Sequence, residues 1–358
     1  MKKDRKVVFV GLSGGVDSAV SAALLKKGGY EVVGVFMRAW HPDFLPCTEE
    51  EERRDAMRVA ARLDIPFLTF DFEKEYKKSV AEYMIREYRA GRTPNPDVMC
   101  NKEVKFGVFL RKALSMGADY VATGHYARKM ETKKETEGAS ELLSGSPASL
   151  LLKGIDPAKD QSYFLWTLGQ KQLAKIIFPI GHLKKAQVRA LAEKFGLSVA
   201  EKKDSQGICF LGEVDLKNFL KHYLRPQKGE VLNKKGETIG WHEGAKFYTL
   251  GERHGFTITK KTATDGRYYV LGKDMRRNTI TVSSDREFSE RELLLRNTNW
   301  ILRPKNEEYS AQVRYHGEFL SCTVKGNRII FKKPVLAASG QSCVLYDRDI
   351  CMGGGVIV

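Results

Sequence analysis

Cys100 lies in TPNPDVMCNKEVKF (residues 93–106), where Pro94 and Pro96 stiffen the chain, Asp97 offers a carboxylate, and Lys102 and Lys105 follow. The pattern places the cysteine where the next helix is expected to begin. A helix N-terminus with lysines nearby lowers a thiol's pKa and raises its thiolate fraction, and Asp97 would then be an acid/base group beside a nucleophile. The same residues are equally compatible with a buried cysteine acting as a small hydrophobe and Asp97 as a helix cap. Cys209 lies in KKDSQGICFLGE, bracketed by Gly207 and Gly212, with Lys202 and Lys203 upstream. Those glycines permit a sharp bend that presents the thiol; core burial beside Ile208 and Phe210 is the alternative.

A second chemical signal is GLSGGVDSAV, residues 11–20. Small residues turn the chain so that backbone N–H groups face outward, Ser18 adds a hydroxyl, and the following helix offers its positive end. Together these features bind phosphate or pyrophosphate. The Gly-Lys-[Ser/Thr] ending of a Walker A loop is missing.

These groups need a scaffold, and the first two hundred residues supply one. Residues 6–10 read as a buried strand and Val16–Lys27 as a helix. A strand at 31–37, a helix at 48–63 with a Thr48/Glu51 capping box, a strand at 66–70 and a helix at 73–90 follow. A helix over 100–115 and a strand over 119–123 complete the series. Alternation at this spacing predicts a parallel sheet with helices on both faces and ligands beyond the carboxyl ends of its strands. Extended pieces at 127–131 and 149–153 flank a polar 131–147 insert that is expected to be mobile. Helical patterns return at 160–174 and 184–195. From about 213 the helical signal fades. A basic, Gly-punctuated segment (214–284) precedes a strand-rich end (285–358), with which we group TITVSS, AQVRYHG, NRIIFKK and SCVLYD and which reads as a small barrel or sandwich.

Composition narrows the function classes. Sixty Lys and Arg against 44 Asp and Glu give a net charge of +16, which suits a polyanionic partner such as nucleic acid or, equally, a basic soluble enzyme. The six cysteines are irregularly spaced with no CxxC pair, so a disulfide scaffold and a structural zinc are not expected and a reducing cytoplasm is. No apolar run approaches the roughly 18 residues of a membrane span, and the opening MKKDRKVVFV gives way to Ser13-Gly14-Gly15 rather than continuing as a signal peptide. Cys47, Cys322, Cys343 and Cys351 are expected to be loop or packing residues.

The phosphate loop resembles the PP-loop of the ATP pyrophosphatase superfamily, whose members split ATP between the α and β phosphates and adenylate an oxygen of the substrate. With TPNPDVMCN, TGHYAR (123–128), KDQSYFLW (159–166), DSQGICFLG (204–212) and CMGGGVI (351–357) following in this order, the chain is similar to the tRNA-specific 2-thiouridylases, which place sulfur on the wobble uridine in the anticodon region of certain tRNAs. The resemblance implies an α/β fold. A PP-loop, Rossmann-like, adenine nucleotide alpha hydrolase-like catalytic domain (1–213) would be followed by a small central domain (214–284) and a C-terminal, tRNA-binding β-barrel (285–358).

It also implies roles. Gly11, Leu12, Ser13, Gly14, Gly15, Val16, Asp17 and Ser18 would hold the pyrophosphate end of ATP, accompanied by Mg2+ although no dedicated metal cluster is visible. Met37 and Gly124 would lie by the adenosine; Met37 is as well placed for core packing. Cys209 would receive sulfane sulfur as a persulfide from a donor protein, Cys100 would be the partner nucleophile, and Asp97 the general acid/base. Asn95, Pro96 and Asp97 would shape the pocket for an extruded uracil, whose 2-oxo group must reach both the α-phosphate and the sulfur. His125, Lys159, Asp160, Gln161, Arg314, Tyr315 and Gln341 would contact tRNA. His125 also fits a packing role at a strand end, and Arg314 and Tyr315 fit simple alternation across a strand. Two rivals remain at this point: a PP-loop amidotransferase or ligase that needs no cysteine pair, and an RNA-binding module for which ATP is only a structural ligand.

Overall fold

The computed structural model describes residues 5–132, 149–204, 207–212, 214–260, 266–285, 290–305 and 307–358. The polar insert beyond Thr132 therefore lies outside the described residues. Three sheets organise the rest. The first holds five parallel strands in the order β3-β2-β1-β4-β7: β1 Val7–Gly11, β2 Glu31–Arg38, β3 Phe67–Asp71, β4 Tyr120–Ala122 and β7 Ile176–Ile177. The order reverses between β1 and β4, so the crevice expected to take a ligand opens at the ends of these two neighbours.

Helices cover both faces. Helix α1 (Val16–Lys27) and α2 (Glu49–Arg62) pack with Val8, Val10 and Phe36 into one core. On the other face α3 (73–89) and α4 (96–115) pack with Phe9, Val35, Phe70 and Val121 into a second. Thr48 does precede α2, but its hydroxyl lies 3.4 Å from the Glu52 carboxylate and caps nothing, so the expected Thr48/Glu51 capping box is not formed.

Helix α4 begins earlier than expected, at Pro96 after Asn95. Proline is favoured at the first helical position because its missing N–H needs no partner and its φ is preset. Cys100 therefore sits one turn inside, where the winding widens into a π-helix over Cys100–Phe109 before Leu110–Ser115 closes as α-helix. Gly107 suits that widening, since a Cβ there would lie 2.8 Å from the Lys102 carbonyl oxygen.

The extended pieces pair as a hairpin, β5 (Ala127–Glu131) with β6 (Ser149–Lys153). The helical pattern at 160–174 resolves into a short 3-10 turn, Ser162–Leu165, and α5 (Gln170–Leu173), whereas α6 (Lys185–Lys194) forms as expected. After α7 (Leu216–Lys221) a five-stranded sheet follows in the order β10-β9-β8-β12-β11. Its strands are β8 Gly229–Leu232, β9 Thr238–His242, β10 Thr257–Ile258, β11 Tyr269–Asp274 and β12 Thr279–Ser283. TITVSS thus belongs to this central sheet and not to the strand-rich end, because β12 pairs with β8 and β11.

The last sheet is a barrel. Strands β13 (Glu292–Trp300), β16 (Arg328–Phe331), β15 (Leu320–Lys325), β14 (Glu308–Gln312), β17 (Ser342–Asp347) and β18 (Ile350–Ile357) run side by side, and β13 pairs back onto β18. A Cβ at Gly353 or Gly354 would fall on the backbone carbonyl of Asn299 or Cys343, so the GGG run is what lets the closing strand seat. Cys322, Cys343 and Cys351 are buried packing residues here, and Cys47 is exposed. The β5–β6 hairpin joins this sheet through β6 and β18, which ties the first domain to the barrel.

Candidate active site

The phosphate loop leaves the end of β1 and enters α1. Gly14 takes φ +72°, the left-handed region where a side chain is disfavoured, and a Cβ there would strike the Glu52 carbonyl. The Ser18 hydroxyl donates to the Gly15 carbonyl at 3.1 Å and accepts the Ser13 N–H at 3.2 Å, so it fixes the loop's shape. Leu12 and Val16 are buried anchors at either end. Gly124, just after β4, backs the loop: a Cβ would come 2.7 Å from the Ser18 nitrogen. Met37 is buried with its methyl 2.9 Å from the Cβ position of Gly11, so it packs under the loop.

Asp17 points out of α1 into a charge network absent from the sequence reading. It accepts from Tyr126 Oη at 2.7 Å and from Lys185 Nζ at 2.8 and 2.9 Å. Lys185 also reaches Asp204 at 2.8 Å, and Asp204 further binds Lys159 at 2.6 Å and Arg189 at 2.7 Å. Burial opposes ionisation of Asp204, but the Lys159 and Lys185 cations outweigh it and hold the carboxyl at about 2. One sequence signal marked Lys185: it is a cation at the first position of α6, the end where the helix dipole disfavours positive charge.

The two cysteines meet. The Cys100 thiol donates to the Cys209 sulfur at 3.2 Å, and the Cys209 N–H donates to Asp97 Oδ1 at 2.9 Å. Tyr76 Oη holds the Cys209 carbonyl at 2.6 Å. Gly207 and Gly212 bracket the bend with φ +93° and +72°, Ile208 and Gly212 exchange backbone bonds of 3.0 and 2.9 Å, and Phe210 is held at φ +66°. A bulky residue in that region is strained, and such strain gathers at functional sites.

The electrostatics set the two thiols apart. Cys100 is not at the helix end; burial and its sulfur neighbour push its thiol well up. Cys209 is the one brought down, by the Cys100 hydrogen bond first and then, against burial, by the Lys105 ammonium. Asp97 is raised by burial despite the Cys209 N–H and Lys105. Cys209 is therefore the better thiolate, and Cys100 a neutral thiol donating to it.

The residues expected at the tRNA take varied positions. Asn95 accepts the Ser342 N–H at 2.6 Å and donates to Gln341 at 3.2 Å, and Gln341 in turn binds the carbonyls of Thr93 and Pro94 at 3.0 and 3.2 Å. Gln341 thus pins the Pro94–Pro96 loop to the barrel. His125 is buried between Phe106 and Phe178 with Nδ1 2.7 Å from the Thr123 hydroxyl, and burial keeps it neutral. Asp160 accepts from Gly154 and Ser162, Gln161 accepts the Tyr126 N–H, and Lys159 faces Asp204. Arg314 is exposed, while Tyr315 packs on Phe164 and His316. Asp160 and Tyr315 share a cavity of about 690 Å³ between the first domain and the barrel, lined also by Arg128, Lys153 and Phe319.

Fold and site together define a Rossmann-like nucleotide-binding domain carrying a paired-thiol centre and joined to a β-barrel. Residues 6–213 match the tRNA methyl transferase HUP domain, 217–284 the tRNA methyl transferase PRC-barrel domain and 290–357 the aminomethyltransferase beta-barrel domain. The chain is 46% identical to the tRNA-specific 2-thiouridylase MnmA of Pseudomonas putida, covering 98% of this chain and 94% of that protein. It is 44% identical to the tRNA-specific 2-thiouridylase MnmA 2 of Geobacillus kaustophilus over the same shares, 98% and 94%. A looser likeness, TM-score 0.34 at 19% identity over 55% of this chain and 59% of the other, is to the U34-tRNA thiolase NcsA from Methanococcus maripaludis with its [4Fe-4S] cluster. The chain belongs to the tRNA-specific 2-thiouridylase family, a family of sulfurtransferases.

Proposed function

We propose that this protein catalyses ATP-dependent 2-thiolation of the wobble uridine of tRNA. The observation that carries the proposal is the Cys100–Cys209 pair, 3.2 Å apart and braced by Asp97, in the same domain as a built phosphate loop. The uridine 2-oxygen attacks the α-phosphate of ATP held over residues 11–18, with Met37 and Gly124 at the adenosine side, and pyrophosphate leaves. The terminal sulfur of a Cys209 persulfide adds to the adenylated carbon and AMP departs. Cys100 then attacks the Cys209 sulfur, so the S–S bond of the persulfide breaks, thiouridine is released and a Cys100–Cys209 disulfide remains for external thiols to reduce. Asp97 serves as acid/base at the pocket that Asn95 and Pro96 shape.

Among the described residues no group of three or more His, Cys, Asp and Glu could hold a metal ion. Mg2+ would accompany the nucleotide and neutralise its phosphates. Arg314 is the tRNA contact that exposure and charge favour, with half-buried Lys159, paired to Asp204, and Tyr315, packed on Phe164, beside it as further contacts. Asp160 and Gln161 act from the same junction, while His125 and Gln341 act through the loops they hold. A persulfide-carrying protein supplies the sulfur, and we assign the domains as 1–213, 214–284 and 285–358. No helix among the described residues is long and apolar enough to cross a membrane, and we place the activity in a reducing cytoplasm.

The test is incubation with ATP, tRNA and a persulfide source, followed by mass spectrometry of the nucleosides. One 2-thiouridine, one AMP and one pyrophosphate per turnover are expected. Thiolation that proceeds without ATP, or ATP consumed to ADP and phosphate, overturns the proposal. Retained nucleotide turnover on an amine acceptor in a Cys100/Cys209 double serine variant favours the ligase reading instead.

A further inference from the structure

The helix carrying Cys100 is wound as a π-helix from that residue to Phe109. In an α-helix, with 3.6 residues per turn, residues five apart point about 140° from each other, so Lys105 would face away from Cys100. The i→i+5 bonding of a π-helix, with roughly 4.4 residues per turn, reduces that separation to about 50°. Lys105 is consequently turned toward the Cys209 loop: its ammonium lies 5.7 Å from the centre of the ring of Phe210, the residue next to Cys209, and its charge acts on both thiols.

We infer, resting on the thiolation proposed above, that Lys105 is the counter-ion that keeps the Cys209 sulfur anionic, first as thiolate and then as terminal persulfide. The π-winding of residues 100–109 is the device that delivers it. The groups around Cys209 leave this role to one side chain. Cys100 gives it a neutral S–H donor, Asp97 takes its backbone N–H, Tyr76 holds its carbonyl, and His125, close enough to feel the Lys105 charge, stays neutral. Among the described residues that face the pair, Lys105 is the cation. Burial works against its charge, but Cys209, Cys100 and Asp97 together hold the ammonium protonated. A nucleophilic sulfur that must remain ionised while packed against a buried thiol and apolar neighbours needs such a partner.

The experiment is the pH profile of Cys209 alkylation by iodoacetamide, read by peptide mass spectrometry on the full-length protein without ATP, tRNA or sulfur donor. The wild-type midpoint is expected below about 8.5, the value of a free thiol. Lys105→Met is expected to move the midpoint up by at least about one unit, so that alkylation near neutrality falls roughly tenfold, and Lys105→Arg to restore it. A Lys105→Met profile that superimposes on wild type overturns the inference. So does a wild-type midpoint at or above the free-thiol value, a result that needs no variant to fold. A shifted profile in a protein that makes no thiouridine overturns the proposed function and leaves the hold of Lys105 on Cys209 standing.

Discussion

Cys100 and Cys209 are separated by 109 residues of sequence, yet the thiol of the first donates to the sulfur of the second at 3.2 Å. Mild oxidation of the free protein is therefore expected to close a Cys100–Cys209 disulfide, whereas Cys322, Cys343 and Cys351 stay reduced inside the barrel. Peptide mapping after oxidation checks this. Recovery of both cysteines as free thiols, or pairing of either with Cys47, contradicts the geometry.

Gly14→Ala is expected to weaken nucleotide binding while the rest of the fold persists. The substitution combines a left-handed backbone, worth about 1–2 kcal/mol against an L residue, with a Cβ placed on the Glu52 carbonyl. ATP affinity should fall at least about tenfold for each 1.4 kcal/mol so lost. Calorimetric titration with ATP measures it, and unchanged affinity would place the nucleotide elsewhere.

Asp204 makes stability depend on acid pH. Its folded carboxyl titrates at about 2, against 3.8 for the unperturbed group. A group depressed in this way contributes stability that is fully present above the unfolded value and is lost as pH falls through the folded one. The window is therefore about pH 4 down to 2. The shift corresponds to about 2 kcal/mol at neutrality. Urea unfolding of Asp204→Asn should show about that loss at pH 7, shrinking through the window, and a constant difference at all pH values would exclude Asp204 as the titrating group.

Gln341 and Arg314 should separate by kind of defect. Gln341→Ala leaves the Thr93 and Pro94 carbonyls without their amide partner, so a lower melting temperature and slower thiolation are expected with tRNA affinity little changed. Arg314→Ala should leave the melt alone, weaken tRNA binding and reduce the slope of log affinity against log salt by about one. The slope for the wild-type protein should be steep, given its +16 charge.

Much of this was legible in the sequence because its signals are local. The alternation of β1 to α2, the turn at Gly14 and the bend between Gly207 and Gly212 each follow from neighbouring residues. What local pattern missed comes from an irregular helix and from chain segments far apart. Pro96 moved the start of α4 ahead of Cys100, and the π-winding after it turned Lys105 toward the cysteines, an effect that 3.6-residue periodicity hides. The Asp17–Lys185–Asp204 network joins three distant motifs. The polar role of Gln341 lies in a contact with Asn95 across the domain junction. TITVSS reads as a strand in either neighbouring sheet, and only its partner β8 decides.

In the proposed mechanism sulfur passes from Cys209 to tRNA with Cys100 as the resolving thiol. This is tested most directly by loading Cys209 with labelled sulfane sulfur, removing the donor, and adding ATP and tRNA for a single turnover. That mechanism requires the label to appear in 2-thiouridine and an equal amount of Cys100–Cys209 disulfide to form. Label released as free hydrosulfide with both cysteines reduced, or label retained on Cys209 while thiouridine accumulates, would contradict it.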